Sequence, residues 1–244
     1  MNNTLTIFKR ELLGYFETPV AYVFIVVFLL LSGLFTFYMG NFFEAGQASL
    51  DSFFIWHPWI YLFLIPAISM RLWAEERRSG TIELLMTLPI STLEAVLGKY
   101  FAAWVFASVA LFLTFPMWLT VNYLGNPDNG AIFAGYLASV LEAGGFLAIG
   151  SCISALTRNQ VVSFVISVTI CFLLNISGLP VILNFFSALG FSQVLLDTIS
   201  SFSFLTNFLE ISRGVISLSN VTYFISIIIF WLFMNVLAIE IKRG

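Results

Sequence analysis

The sequence predicts an all-α integral membrane protein with six transmembrane helices. Of its 244 residues, 60% are hydrophobic and only 9% are charged, and the mean hydropathy is +0.99. A soluble domain carries about 25% charged residues. Several apolar runs also approach the length of about 20 residues that a helix needs to cross a bilayer. Most of this chain is therefore expected to lie in lipid.

Six apolar segments have the length and composition of membrane spans. The second is the shortest, and Pro58 and Pro66 are expected to kink it, which neighbouring helices make tolerable in a membrane. The third and fourth are long enough to tilt or to extend into water. The predicted spans cover residues 20–38, 53–70, 96–123, 131–156, 161–182 and 221–239.

The positions of the basic residues support this count and predict an orientation. With six spans, nine of the ten Lys and Arg side chains fall on one side of the membrane, and only Arg213 falls on the other. Because basic residues concentrate in cytoplasmic loops, both termini are predicted to be cytoplasmic. The nine are Lys9, Arg10, Arg71, Arg77, Arg78, Lys99, Arg158, Lys242 and Arg243.

Residues 1–18 precede the first span and have the pattern of an amphipathic helix. Leu5, Phe8 and Leu12 recur at three- and four-residue steps, and charged residues lie on the other faces. Such a helix is expected to lie in the membrane interface. It is either a simple surface anchor or an element with a specific gating role.

The connection at residues 184–220 is too apolar for an ordinary loop and too interrupted for another simple span. Several phenylalanines alternate there with serines. We predict short interfacial or re-entrant helices, whose irregular backbone must be covered by protein or line a wet cavity. A folded outer cap that packs on the spans is the alternative.

Charge is concentrated between the second and third spans, at residues 71–94. This segment holds seven of the 23 charged residues. Gly80 is expected to end a first helix, and Thr81 to cap a second short one that ends at Pro89. Ser91 and Glu94 then form a capping-box pattern at the start of the third span. The segment is predicted to be a helix–break–helix unit joined to a membrane helix; a passive, solvated loop is the alternative.

The stretch from Glu75 to Ile90 resembles the hallmark loop of ABC-2 type transporter permeases. In that family this loop forms a coupling helix that fits a groove on a cytoplasmic ATPase subunit. Residues 8–16 resemble the family's elbow helix, and residues 208–217 resemble its gliding-motility branch. The resemblance covers the whole chain and implies an ATPase-coupling site at Arg71, Glu75, Glu76, Arg77, Arg78, Ser79, Gly80, Thr81, Glu83 and Pro89.

The resemblance also implies partners and a location. Two permease chains, identical or different, would form the pathway in a bacterial inner membrane. Two copies of an ATPase subunit would bind ATP and magnesium beneath them, and an accessory protein with a large extracytoplasmic domain would be a further partner. The complex would export a substrate or transmit force. A six-span scaffold or assembly factor without transport is the alternative.

Two polar residues lie inside predicted spans. Glu142 is mid-way through the fourth span, where an ionisable group suggests a functional site. Small residues at four-residue steps beside it indicate close helix packing, so we favour a structural role for Glu142. Asn175 is compatible with either a polar conduit or a kink.

The sequence offers no catalytic set. It lacks a phosphate-binding loop of the Gly-x-x-x-x-Gly-Lys-Ser/Thr type, so no ATP hydrolysis is expected from this chain alone. One histidine and two cysteines in apolar stretches predict neither a metal site nor another bound cofactor. Without a basic patch, nucleic-acid binding is not expected. An intramembrane enzyme is disfavoured because Glu142 has no partner acid.

Overall fold

The computed structural model describes residues 3–82, 87 and 89–241, and the described chain is helical without β-strands. The helix α2 continues into a π-helical turn at Phe35–Met39. The helices are α1 (Asn3–Glu17), α2 (Pro19–Leu34), α3 (Asp51–Phe54), α4 (His57–Ser69), α5 (Arg71–Ser79), α6 (Thr92–Phe112), α7 (Phe115–Leu124), α8 (Asn129–Leu156), α9 (Gln160–Ile176), α10 (Pro180–Ala188), α11 (Gln193–Ser201), α12 (Phe204–Ser212) and α13 (Leu218–Ile241).

Between five and seven segments of the described chain are long and apolar enough to cross a membrane. Five are nearly continuous helical stretches, and two are pairs of helices with a sharp bend: 79° between α9 and α10, and 67° between α11 and α12. The predicted number of six spans falls within this range. The exact count and the orientation remain predictions. Lys242 and Arg243, which contributed to the predicted orientation, lie outside the described residues. The five stretches are Pro19–Met39, Asp51–Ser79, Thr92–Leu124, Asn129–Leu156 and Leu218–Ile241.

The segment predicted as a fifth span, residues 161–182, is divided between α9 and α10. Leu179 has extended backbone (ψ 138°) and Pro180 occupies the first turn of α10. A proline disfavours helical backbone in the residue before it, yet fits the first turn of a helix, so the helix stops and restarts here. The region from 184 to 220 then contains the rest of α10 and the short helices α11 and α12. Their depth in the membrane remains a prediction.

Helix α8 lies at the centre of the bundle. It packs against α4, α5, α6, α9, α12 and α13, and 78% of its apolar stretch is buried. Glycines allow these close approaches: a Cβ added at Gly135 would lie 2.5 Å from the ring of Phe54, and one at Gly145 would lie 2.5 Å from the ring of Phe204. The close packing predicted from the small residues of this helix is therefore present.

Candidate functional site around helix α5

Helix α5 carries most of the predicted coupling residues, and its sequence has two distinct faces. Leu72, Trp73 and Ala74 are buried, whereas Glu75 and Arg78 are exposed. The helix ends at Gly80, whose left-handed backbone (φ +75°) suits a residue without a side chain. The break predicted at Gly80 is thus confirmed.

A serine from α8 caps the first turn of α5. The Ser154 Oγ accepts hydrogen bonds from the backbone N–H groups of Trp73 (3.1 Å) and Ala74 (3.0 Å), and donates one to the carbonyl oxygen of Met70 (2.9 Å). Backbone N–H groups in a first helical turn lack partners within their own helix. Met70, at the N-cap position of α5, provides no side-chain hydrogen bond. Ser154 therefore supplies the cap from another helix and fixes the start of α5 on the end of α8.

Lys99 of α6 makes a second connection to α5. Its Nζ lies 2.7 Å from Glu76 Oε1 of α5 and 3.2 Å from Glu11 Oε1 of α1. The same ammonium group lies 5.4 Å from the ring centroid of Trp73, at cation–π distance. Only 4% of the Lys99 side chain is exposed. One buried cation thus contacts side chains from two other helices.

The surroundings of Glu11 lower the pKa of its carboxyl group. Burial of its carboxyl group disfavours the charged form, but the positive charges of Lys99 and Arg10, with their hydrogen bonds, outweigh that effect. The net result is a pKa below the ordinary value of 4.5. Glu11 is therefore ionised at neutral pH and forms a charged pair with Lys99.

The structure separates the predicted coupling residues into an outward and an inward group. The outward group is exposed along α5, in the turn after it and further along the loop, and consists of Arg71, Glu75, Arg78, Ser79, Gly80, Thr81 and Pro89. Glu76 faces inward, with 21% of its side chain exposed. Arg77 is half-buried. Glu83, with most of the predicted second short helix, lies outside the described residues.

Two local interactions hold the outward group. Arg71 Nε lies 3.6 Å from Glu75 Oε2, one helical turn away. Ser79 Oγ donates to the carbonyl oxygen of Glu75 at 2.9 Å and lies 2.9 Å from Thr81 Oγ1. Since exposed ion pairs contribute little stability, these contacts shape the surface more than they stabilise it.

The start of α6 is fixed by the capping box predicted from the sequence. The Ser91 Oγ accepts from the Glu94 N–H at 3.2 Å, and Glu94 Oε2 accepts from the Ser91 N–H at 2.8 Å. The prediction of this capping box is confirmed. It gives the chain that follows the charged segment a defined entry into α6.

Helix α1 lies alongside the first half of α6 in a constant register. Asn3 Nδ2 lies 3.4 Å from Glu94 Oε2, and a Cβ added at Gly98 would lie 2.7 Å from Ile7 Cγ2. Further along, the rings of Tyr15 and Phe106 stack at 4.9 Å. Each pair has the same sequence offset, so the two helices run side by side in the same direction. The predicted amphipathic helix is present; its place in the membrane interface remains a prediction.

The two intramembrane candidates lie away from α5 along the bundle. Glu142 of α8 and Asn175 of α9 are both fully buried. Neither the carboxyl oxygens of Glu142 nor the side-chain amide of Asn175 has a hydrogen-bond partner among the described residues. The backbone carbonyl of Asn175 accepts from Ser203 Oγ at 3.0 Å, which joins α9 to α12. No group of three or more His, Cys, Asp or Glu side chains in the described residues is arranged to hold a metal ion.

Sequence reasoning identified the charged segment but missed Lys99 and Ser154. Lys99 was used only as an indicator of orientation, although a lone lysine among Ala, Val and Gly signals an unusual environment. Its partners, Glu11 and Glu76, are distant in sequence and are found only in the fold. Ser154 carries no local signal, because serine is common in closely packed membrane helices.

The chain matches a known family of membrane proteins over most of its length. A family model described as ABC-2 family transporter protein matches residues 5–241, nearly the whole chain. The chain belongs to this family. Membership indicates a permease component of an ABC transporter, in agreement with the apolar helices of this ABC-2 protein. No curated protein matches the chain.

Proposed function

We propose that this ABC-2 protein is the membrane permease subunit of an ATP-driven transporter and that α5 is its coupling helix. The observation that supports this best is the combination found at α5: a polar tip faces outward while Ser154 fixes the opposite end of the helix to α8. A helix held in this way presents its exposed side chains in a fixed geometry. That is what a docking element needs if it is to transmit force rather than bend.

The outward group has the chemistry of a protein-docking surface. Glu75, Arg78, Ser79 and Thr81 are exposed and offer both charges and hydroxyl groups. Mixed charges favour one partner and orientation over others, because like charges placed opposite each other are repelled. Gly80 shapes the turn between these residues. Glu76, by contrast, is assigned to the internal contact with Lys99 rather than to docking.

The partners follow from family membership and resemblance. ABC-2 permeases pair with a cytoplasmic ATPase subunit, and we propose two copies of it beneath two permease chains. ATP and magnesium would be bound by those subunits. Closure of the ATPases would push α5 of each permease and alternate the pathway between inward- and outward-open states. We propose that the complex lies in a bacterial inner membrane, with α5 on the cytoplasmic side.

The direction of transport and the biological role are proposed from the resemblance. Export of a substrate, or transmission of force to an accessory protein with a large extracytoplasmic domain, fits the family pattern. The gliding-motility resemblance lies at residues 208–217, which include the end of α12 and Gly214. This glycine has left-handed backbone (φ +91°) in the turn before α13. We propose a gliding-motility role for the protein on the basis of this resemblance.

Co-expression with a candidate ABC ATPase subunit tests the proposal. Replacing Glu75 and Arg78 with alanine removes two exposed charges without touching a buried contact. We expect this variant to insert in the membrane normally but to lose co-purification with the ATPase. Arg213→Ala, which removes an exposed charge at the end of α12, is the matched control and should bind as the wild type does. Unchanged binding by the α5 variant would refute docking at this surface.

A further inference from the structure

Lys99 connects α5 to α6 by a route that bypasses the chain between them. That chain runs through residues 80–91 before α6 begins at Thr92. The ammonium group of Lys99, on the second turn of α6, reaches Glu76 of α5 directly at 2.7 Å. In the described residues, an electrostatic contact therefore joins these helices in addition to the covalent chain.

The contact of Lys99 with Glu76 should resist separation when α5 moves. With 4% of the Lys99 side chain exposed, little water screens its attraction to Glu76 and Glu11. Separating such a pair leaves a buried charge without a partner, which is strongly unfavourable. The contact between the ammonium group and the Trp73 ring adds a second point of attachment on the same face of α5.

Lys99 attaches α5 to two helices, α1 and α6. Helix α1 keeps a constant register with α6 through the contacts of Asn3, Ile7 and Tyr15. Lys99 also binds Glu11 at the centre of that contact. A displacement of Glu76 therefore acts on α1 and α6 together.

We propose that Lys99 is the positioning residue that transmits displacement of α5 to the α1–α6 pair. This inference rests on the proposed function, because it assumes that an ATPase moves α5. It assigns the transmission step to one ionic contact rather than to the connecting chain and its capping box. Glu76 is the partner of Lys99 on α5, the helix that the ATPase would move. Glu11 is its partner on α1, which would move in response.

A single spin label on α1 measures the step without knowledge of the substrate. Leu13 is 63% exposed and tolerates a label; the buried Cys152 and Cys171 are first replaced with alanine. In the complex with its ATPase in lipid nanodiscs, the accessibility of the label to oxygen and to a water-soluble relaxant is compared without nucleotide and with trapped ATP. The wild-type chain should show a nucleotide-dependent change.

Three changes distinguish the two routes. Glu76→Leu removes the driven partner and leaves Lys99 paired with Glu11. The triple change Lys99→Met, Glu11→Gln and Glu76→Gln removes all three charges, so that no buried charge is left without a partner. Insertion of two glycines after Pro89 loosens the connecting chain and leaves the ionic contact in place. Lys9→Met with Glu17→Gln, both exposed on α1, is the matched control.

We expect Glu76→Leu and the triple change to lose most of the label response while the ATPase still binds and hydrolyses ATP. The glycine insertion and the control should retain the response. Reversing the charges, with Lys99→Glu, Glu11→Lys and Glu76→Lys together, should restore it, which a purely structural role would not require.

A full label response in both Glu76→Leu and the triple change would overturn the role of Lys99. A label response lost only in the glycine insertion would also overturn it. A wild-type complex that binds the ATPase but shows no response would also overturn it. A wild-type chain that binds no ATPase would overturn the proposed function and this inference with it. ATPase binding therefore separates the two failures.

Discussion

Ser154, in the last turn of α8, accepts a hydrogen bond from the backbone N–H of Trp73 at 3.1 Å and so caps a helix to which it does not belong. The central helix of the bundle is thereby fixed to the charged helix α5. A helix with three exposed charged residues and a buried tryptophan benefits from such an anchor, because its own N-cap position provides no side-chain hydrogen bond. The contact joins the largely buried helix α8 to the exposed charged residues of α5.

Ser154→Ala is predicted to loosen α5 without unfolding the bundle. Removing the hydroxyl leaves the N–H groups of Trp73 and Ala74 without their acceptor, at a cost of about 1–3 kcal/mol. Hydrogen exchange should become faster across residues 71–79, and ATPase binding should weaken. Ser108→Ala is the control, since that hydroxyl donates to the carbonyl oxygen of Trp104 in its own helix. Equal exchange in the two variants would contradict the capping role.

Gly98→Leu is predicted to displace α1 from α6. Even a single added Cβ would lie 2.7 Å from Ile7 Cγ2, so a larger side chain cannot fit without separating the helices. Overpacking of this kind costs about 1–3 kcal/mol. The thermal unfolding midpoint in detergent should fall. Protease should cut more readily within residues 3–17.

Gly14 provides a control position on α1. It lies on α1 with no atom within 4 Å of an added Cβ. Gly14→Ala should therefore keep α1 in place and stabilise it by about 0.5–1 kcal/mol through helix propensity. A Gly98→Leu protein as stable and as protease-resistant as Gly14→Ala would show that α1 is not packed on α6 as described.

The contribution of the Glu11–Lys99 pair to stability is predicted to depend on pH in one direction. Because the pKa of Glu11 is lowered from 4.5, the folded state binds this proton more weakly than the unfolded state. Its stabilising contribution is complete above about pH 4.5 and is lost as the pH falls through the lower, folded-state pKa. The difference in unfolding midpoint between the wild type and Glu11→Gln should therefore be constant from pH 7 to about 5 and shrink only below. A difference that already disappears between pH 7 and 5 would contradict a lowered pKa.

Local sequence patterns predicted the elements that depend on neighbouring residues. The Ser91 capping box, the break at Gly80 and the helix before Pro19 all follow from short-range rules of backbone geometry. Long apolar runs predicted the candidate membrane helices, since length and composition together determine whether a helix can cross lipid. These features do not depend on the rest of the fold.

Features that depend on distant contacts were not predictable in the same way. Leu72 and Trp73 place Glu76 on the apolar face of α5, but nothing near Glu76 in the sequence identifies its partner, because Lys99 lies on another helix. The bend between α9 and α10 was left open as a kink at Asn175, but its 79° angle was not predictable, for a different reason. Apolar composition continues through Leu179 and Pro180, so the composition predicted one span where the proline begins a second helix.

The most direct test of the account is photo-cross-linking from the tip of α5. A photoreactive amino acid placed at Ser79, exposed beside the turn at Gly80, should form a covalent adduct with the ATPase subunit in intact membranes. The same amino acid at Arg213, exposed at the end of α12, should form none. An ATPase adduct from residue 79 alone is the predicted result. No adduct from residue 79 in a complex that still hydrolyses ATP, or equal adducts from both positions, would contradict the assignment of α5 as the coupling helix.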